Sequence, residues 1–381
     1  MQIALVTETF TPQINGVALT VQGFQTGLLK LGHRVEIVRP TCAGERAGHV
    51  PGELRLPGAA LPRYPGLRFG WPAGQKLRQH WRSTNRPDAV YIATEGPLGW
   101  SALHAAKALG LPVSTGFHTR FDDYMARYGA GWLAPVAFAW LRRFHNHGDA
   151  TLVPTRQLQE MLTARGFTQV RWLPRAVDAQ AFHPNFRSAE LRREWGVDEA
   201  GFIAVHVGRI AAEKNLELAV RAFRAIQQHQ PNARFVLVGD GPERERLAAA
   251  NPDFIFTGMQ RGSDLAAHFA SADLFLFPSL SETFGNVTLE AMASGIPTVA
   301  YDYGAAHEHL RDGEHGCTLA RDDEAGFIAA AEQLVSDAAL RHRMGIAARE
   351  AVAAMSPESV CRVFAQMLQE LAQAAPVRSA A

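Results

Sequence analysis

Cysteine is scarce: Cys42, Cys317 and Cys361 are the full complement and stand far apart. An odd, widely spaced set excludes a disulfide scaffold and gives no zinc-binding spacing, so no metal is expected. Long apolar runs are lacking too. The longest, Tyr128 to Leu141, contains Pro135 and falls short of the roughly 20 residues of a membrane span. The opening stretch MQIALVTETF carries no basic leader and meets Glu8 just after its first apolar run, so it reads as a strand rather than a signal peptide. An excess of one charge is missing as well, with 38 Lys+Arg against 37 Asp+Glu. That balance argues against a dedicated nucleic-acid binder. These absences lead to the expectation of a cytoplasmic protein, with peripheral contact at the inner face of a membrane left open.

The 381 residues, 47% hydrophobic and 20% charged, are ordinary globular composition, and at about 100–200 residues per domain they suggest two domains. The charge is unevenly spread. Residues 1–178 hold 20 Lys+Arg and 11 Asp+Glu, a balance of +9, and the remainder holds 18 and 26, a balance of −8. The asymmetry points to an anionic partner for the first half.

Short β-branched runs alternate with helical stretches. Ile3–Val6, Val35–Val38, Ala89–Ile92, Val113–Thr115 and Thr151–Val153 predict strands, with helices such as Gly96–Leu109 and Thr155–Arg165 between them. The pattern restarts at Phe202–Val207 and continues through Arg234–Val238, Phe254–Thr257, Leu274–Phe277 and Thr298–Tyr301. Strands alternating with helices imply parallel, doubly wound sheets. The expected fold is α/β, two facing Rossmann-like domains with a cleft between them, residues 1–175 and 176–381. The last helix, about 356–373, is free to pack back on the first domain. Pro174–Pro184 reads as the linker. The Pro-, Gly- and Arg-rich stretch Thr41–Asn85 reads as an excursion of loop with short helices.

Ligands of such sheets sit beyond the carboxyl ends of the strands, and the chemistry-bearing residues cluster there. In SLSETFGNVTLEAMASGIPTVA, residues 279–300, a strand ends near Pro278 and a helix starts near Asn286. A helix N-terminus suits a phosphate or sugar hydroxyls. Glu282 and Glu290 bracket it, and carboxylates accept paired hydrogen bonds from vicinal hydroxyls. The plainer readings are a solvated loop acid and a helix-dipole partner. In HVGRIAAEKNLELAV, residues 206–220, Gly208 and Arg209 follow a strand and Lys214 precedes a helix. Two cations there make a diphosphate pocket, or a surface pair.

The string S-E-T-F-G-N-V-x-L-E-A-M-A-x-G-x-P resembles the E-x7-E signature of retaining nucleotide-sugar glycosyltransferases of family 4, which have the GT-B fold. The resemblance runs from the first loop to about residue 318. It implies that Glu282 binds the transferred sugar, that Glu290 binds the donor ribose, and that Phe284, Gly285, Asn286 and Val287 hold sugar and phosphates. Gly208, Arg209 and Lys214 resemble the element that stabilises the leaving diphosphate. Gly239, in VGDGPERERL, and Met259, after FTG, match turns near the nucleotide. Asn15 and Gly16, in TETFTPQINGV, match the glycine loop that reaches the diphosphate, although the family often shows two adjacent glycines there. His118, in STGFHTRFDDYMARY, matches the histidine that points at the reacting sugar. Arg120, Asp122 and Tyr124 would border the acceptor, with Glu95 a weaker acceptor-side candidate.

TETFTPQINGV and FHTRFDDYMARYG place the resemblance nearest GDP-mannose-dependent α-mannosyltransferases and lipid-directed sulfoquinovosyl or glucosyl transferases. The implied activity is transfer of a mannose- or glucose-type hexose from a nucleoside-diphosphate sugar to a hydroxyl of a lipid, glycolipid or glycan. No cofactor is expected, and the chain has no Asp-x-Asp metal element. The alternatives are a nucleotide-sugar epimerase of the same shape, a glycoside hydrolase using the two glutamates, and a non-catalytic nucleotide-sugar-binding module. Aromatics among bases in residues 63–82 and 131–144 suit an anionic bilayer surface, although core packing accounts for most apolar residues of the second stretch.

Overall fold

Apolar runs of four to seven residues become the central strands in both halves of the chain. The computed structural model describes residues 1–13, 15–60, 68–83, 85–118, 134–198 and 200–374. It divides into two units, Met1–Pro174 with Pro357–Ala381, and Arg175–Ser356.

In the first unit the strands are β1 (Gln2–Val6), β2 (Arg34–Pro40), β3 (Gly48–Val50), β4 (Glu53–Leu56), β5 (Gly58–Ala60), β6 (Arg68–Gly70), β7 (Ala89–Ile92), β8 (Val113–Gly116), β9 (Ala150–Val153) and β10 (Val170–Trp172). Eight of them form one sheet, in the order β10-β9-β8-β7-β1-β2-β4-β3. All its pairings are parallel except β3 with β4. Strand β1 lies at the centre, with Ile3 opposite both Val35 and Ala89. Its residues Ile3 to Val6 are buried, as parallel strands covered on both faces must be. The helices are α1 (Gly16–Lys30), α2 (Gly74–Arg82), α3 (Pro97–Ala108), α4 (Ala134–His147) and α5 (Arg156–Ala164).

The excursion 41–85 differs from expectation. Besides α2 it contains β3 to β6, three or four residues each, and β5 pairs with β6 as a separate ribbon. Strands β3, β5 and β6, three residues each, are too short to show a two-residue period, whereas β4 buries Leu54 and Leu56 alternately in the core. The buried Arg39 on β2 adds ion pairs to Glu45 at 2.7 Å and Glu53 at 2.9 Å. The Arg39 guanidinium keeps the Glu45 carboxyl down at about 2.

Among the described residues the second unit has six strands: β11 (Ile203–Val207), β12 (Arg234–Val238), β13 (Ile255–Gly258), β14 (Leu274–Phe277), β15 (Thr298–Tyr301) and β16 (Gly316–Leu319). They form an all-parallel sheet in the order β13-β12-β11-β14-β15-β16. Its helices are α6 (Ala189–Glu194), α7 (Leu216–His229), α8 (Arg244–Ala250), α9 (Gly262–Ala270), α10 (Asn286–Ala293), α11 (Ala305–His309), α12 (Glu324–Ser336) and α13 (Ala338–Val352). Alternate residues of β14 feed opposite layers. Leu274 and Leu276 join Phe223, Phe235 and Phe327, while Phe275 and Phe277 join Phe269, Leu289 and Met292. Each such side chain, fully buried, contributes about 1.5–3 kcal/mol.

The last helix, α14 (Pro357–Ala374), belongs to the first unit. Phe364 stacks on Phe24 of α1 at 4.3 Å between centroids and meets Tyr91 of β7 edge-on at 5.0 Å. Cys361 lies against Gly27, where any Cβ would overlap its side chain.

Strand order reverses direction at one place in each sheet. In the first unit it is between β1 and β7, and in the second between β11 and β14. At such a point the flanking connections leave toward opposite faces, opening a crevice at the strand tips.

Candidate active site

The tips of β11 and β14 carry Gly208, Arg209, Lys214 and Glu282. Beyond β11 the chain turns through Gly208, bonded from its N–H to the Val238 carbonyl at 3.0 Å, and Ile210 N–H is bonded to the Asp240 carbonyl at 3.0 Å. Gly239 follows β12 with φ +135°, and a Cβ there would lie 1.9 Å from the Gly208 oxygen. Only glycine tolerates that approach. Met259 follows β13 with its side chain exposed.

Beyond β14, the Leu280 N–H bonds the Glu213 carbonyl at 2.9 Å, which joins the two loops. The Lys214 ammonium donates to Glu282 Oε1, and the Ser279 hydroxyl donates to the same oxygen at 2.8 Å. Tyr303 in turn donates to the Ser279 carbonyl at 2.7 Å. Glu282 is therefore a positioned carboxylate, not a solvated loop acid. Arg209 reaches Glu213 at 3.4 Å with its side chain 42% exposed. Its partner Glu213 is buried, so the pair lies half in solvent at the strand tip.

Gly285 precedes α10 in the left-handed region, φ 95°, and supplies no side-chain cap to the helix. The first amides of α10 are thus left to a ligand or solvent. Glu290 stands in the second turn, beyond the reach of a helix-terminus dipole. Burial pushes its carboxyl up to about 7. Beneath the loops, His206 is fully buried. Its Nδ1 meets the Leu276 carbonyl at 3.1 Å, its Nε2 has no partner among the described residues, and burial holds it down at about 4. It is a neutral floor to the site.

In the first unit, Asn15 caps α1, accepting from Ala18 N–H at 2.9 Å and donating to Thr9 at 2.6 Å. Among the described residues nothing lies within 4 Å of where a Cβ on Gly16 would stand. His118 follows β8, and its Nε2 lies 2.7 Å from the Tyr91 hydroxyl. Gly116 is what permits the pair, since a Cβ there would overlap both side chains. Glu95 is turned inward: it is 6% exposed and faces His145 Nε2 at 3.3 Å. Arg120, Asp122 and Tyr124 lie outside the described residues.

Sequence reasoning passed over Ser279, Tyr303, Glu213 and Glu8. The first three carry no spacing signal; they act by hydrogen bonds to residues already singled out. Glu8 lies just past β1 and accepts from the N–H groups of Leu98 at 2.9 Å and Gly70 at 3.2 Å. Burial pushes it up to about 7 against those two bonds. An acid at a strand tip was the available signal.

Two family models match the chain. "Glycosyltransferase Family 4" covers residues 14–181, and "Glycosyl transferases group 1" covers residues 201–337. A GDP-mannose-dependent alpha-mannosyltransferase of Mycolicibacterium smegmatis is 35% identical over 371 residues, 95% of each chain. An alpha-monoglucosyldiacylglycerol synthase of Acholeplasma laidlawii is 26% identical, over 85% of this chain and 86% of that one. Among solved structures, a sucrose-phosphate synthase from Thermosynechococcus elongatus superimposes with a TM-score of 0.78 at 20% identity, covering 98% of this chain and 99% of that one. At that identity the likeness concerns the fold, which is GT-B. The signature glutamates, the two cations at the strand tips and an identity of 35% along nearly the whole chain agree: the protein is a glycosyltransferase and belongs to family 4.

Proposed function

We propose that the protein transfers mannose from GDP-mannose, with retention, to a hydroxyl of a membrane glycolipid. The observation that carries the reading is the Lys214–Glu282–Ser279 constellation at the β11/β14 switch point, beside an α10 N-terminus without a side-chain cap. The mannosyl donor is favoured by the relative that spans 95% of the chain. Membership in the family stands against the epimerase and hydrolase readings.

Glu282 is fixed to accept hydrogen bonds from hydroxyls of the transferred sugar. Lys214, bonded to it, stands where sugar and diphosphate meet. Arg209 leaves Glu213 for the diphosphate, whose two charges offer a stronger partner. Gly208 lets the phosphates approach the backbone, and the amides of Phe284, Gly285, Asn286 and Val287 face the developing negative charge. Catalysis then consists of stabilising the departing diphosphate with groups already in place. The two cations supply that charge without a metal. Attack by the acceptor on the face the diphosphate leaves gives retention with no enzyme nucleophile. Glu290 serves the ribose, and Gly239 and Met259 border the base. In the first unit, Asn15 and Gly16 serve the diphosphate and His118 the transferred sugar.

Among the described residues no helix is long and apolar enough to cross a membrane. Helix α4 nevertheless presents Val136, Trp140, Arg143 and His147 outward while Leu141 and Phe144 are buried. An exposed apolar and basic stripe at helical spacing suits an anionic bilayer, so the acceptor is read as a lipid at such a surface.

The test is transfer of label from GDP-mannose and, in parallel, UDP-glucose into total membrane lipid, with no added metal. Label passing from GDP-mannose to the lipid fraction supports the reading. Transfer from UDP-glucose alone replaces the donor, and free sugar as the sole product rejects the transferase mechanism.

A further inference from the structure

A second cluster of chemistry-bearing side chains lies in the first unit on β2, β3 and α2. Glu36 on β2, His49 on β3 and His80 on α2 come together with their ligand atoms all within 4.8 Å of one another. His80 Nε2 lies 2.9 Å and His49 Nε2 3.3 Å from the same oxygen, Glu36 Oε1. The two imidazole rings stand 5.5 Å apart. We propose that this trio binds one divalent cation of the zinc class, which ties β3 and α2 to β2.

The donor set is two imidazole nitrogens and one carboxylate oxygen, a set well suited to zinc at bond lengths of about 2.0–2.2 Å. Tetrahedral bonds of that length place neighbouring ligand atoms roughly 3.3 Å apart. The His–Glu contacts of 2.9 Å and 3.3 Å are near that spacing, and the remaining separation, within 4.8 Å, closes by rotation of the half-exposed His49. Three protein ligands leave a fourth position for water, and the half-exposed His49 side chain, at 49%, marks the route to solvent. Glu36 and His80 are the sheltered members, with side chains 11% and 12% exposed. Outside them, the Asn85 amide lies 3.5 Å from His80 Nδ1. Amide oxygen and nitrogen are interchangeable by a flip, so Asn85 can accept from Nδ1–H once Nε2 is given to a metal, the second-sphere partner such ligands normally have. The nearby cation Arg39 is engaged by Glu45 and Glu53 and does not compete for Glu36.

The ligands stand 13 and 31 residues apart in sequence, a spacing that matches no metal motif, which is why only the fold reveals them. The role follows from position. Strand β3 is three residues long and sits at the sheet edge, so few backbone bonds hold it, and a bound ion would pin it.

The test uses full-length protein without a histidine tag, stripped with a chelator, desalted and titrated with CoCl2 or ZnCl2 alone. The wild type is expected to bind one equivalent more than His49→Ala or His80→Ala. Its cobalt form should show visible ligand-field bands that added zinc abolishes, and ZnCl2 should raise its melting temperature by a few degrees. His49→Ala, half-exposed at an edge, keeps the fold testable if His80→Ala does not fold; circular dichroism checks both. Equal stoichiometry and equal spectra in wild type and His49→Ala would overturn the proposal, including the case where other histidines bind the metal in both.

Discussion

The two cations at the strand tips differ in kind, and the difference is measurable. Arg209→Ala should lower kcat by about 10²–10³, the usual cost of one donor to a developing oxyanion. Lys214→Ala removes the partner of Glu282 as well, so it should also raise KM for the donor. Steady-state kinetics with varied GDP-mannose separate the two; a pure KM effect for Arg209→Ala would refute its role in diphosphate departure. Glu290 gives a pH prediction. Its folded value of about 7 stands above the ordinary 4.5. Between those values the folded state keeps a proton that the unfolded state has lost, so stability falls as pH rises through that window. Above it the carboxylate is charged in both states and the full cost of burying it is felt. Glu290→Gln should therefore raise the melting temperature of the ligand-free protein at pH 8 more than at pH 5, while weakening nucleotide binding. An equal rise at both pH values would show that the charge is not the cause.

Among the elements, the loops after β11 and β12 depend on close backbone approach. Gly239→Ala would place a methyl 1.9 Å from the Gly208 oxygen, whereas Gly262, at φ +52°, has open space around its Cβ position. Thermal melts should show Gly262→Ala costing about 1 kcal/mol and Gly239→Ala clearly more, with donor binding lost only in the latter. Comparable melts for the two would remove the argument for the close approach. The strands and their order of appearance were legible in the sequence because fully buried parallel strands are unbroken apolar runs: Leu274–Phe277 could hardly be anything else. The start of α10 was legible from Gly285 and Asn286. The excursion was not, because β3, β5 and β6 are three residues each and the Leu54/Leu56 alternation of β4 spans only four residues, too few to read amid the Pro and Gly around them. Nor could sequence show that Tyr303 supports Ser279, or that Glu95 faces His145, since those contacts join residues with no fixed spacing.

For the molecule as a whole, the imbalance of +9 and −8 between the first 178 residues and the rest finds a physical counterpart in the outward face of α4. Wild-type protein should sediment with vesicles containing anionic lipid and less with zwitterionic ones, increasingly so as salt is lowered. Trp140→Ala with Arg143→Glu should abolish that difference while leaving GDP binding intact; sedimentation unaffected by the double substitution would place any lipid contact elsewhere.

The return of α14 to α1 and β7 orders events during synthesis. Residues 175–356 form a contiguous stretch whose sheet has every strand once Leu319 has left the ribosome. The amino-terminal unit, begun first, must wait with the Phe24 and Tyr91 surface uncovered until Phe364 emerges. A nascent chain that has extruded no further than residue 356 would thus carry a finished second half and an unfinished first half, the reverse of the order in which their codons are read.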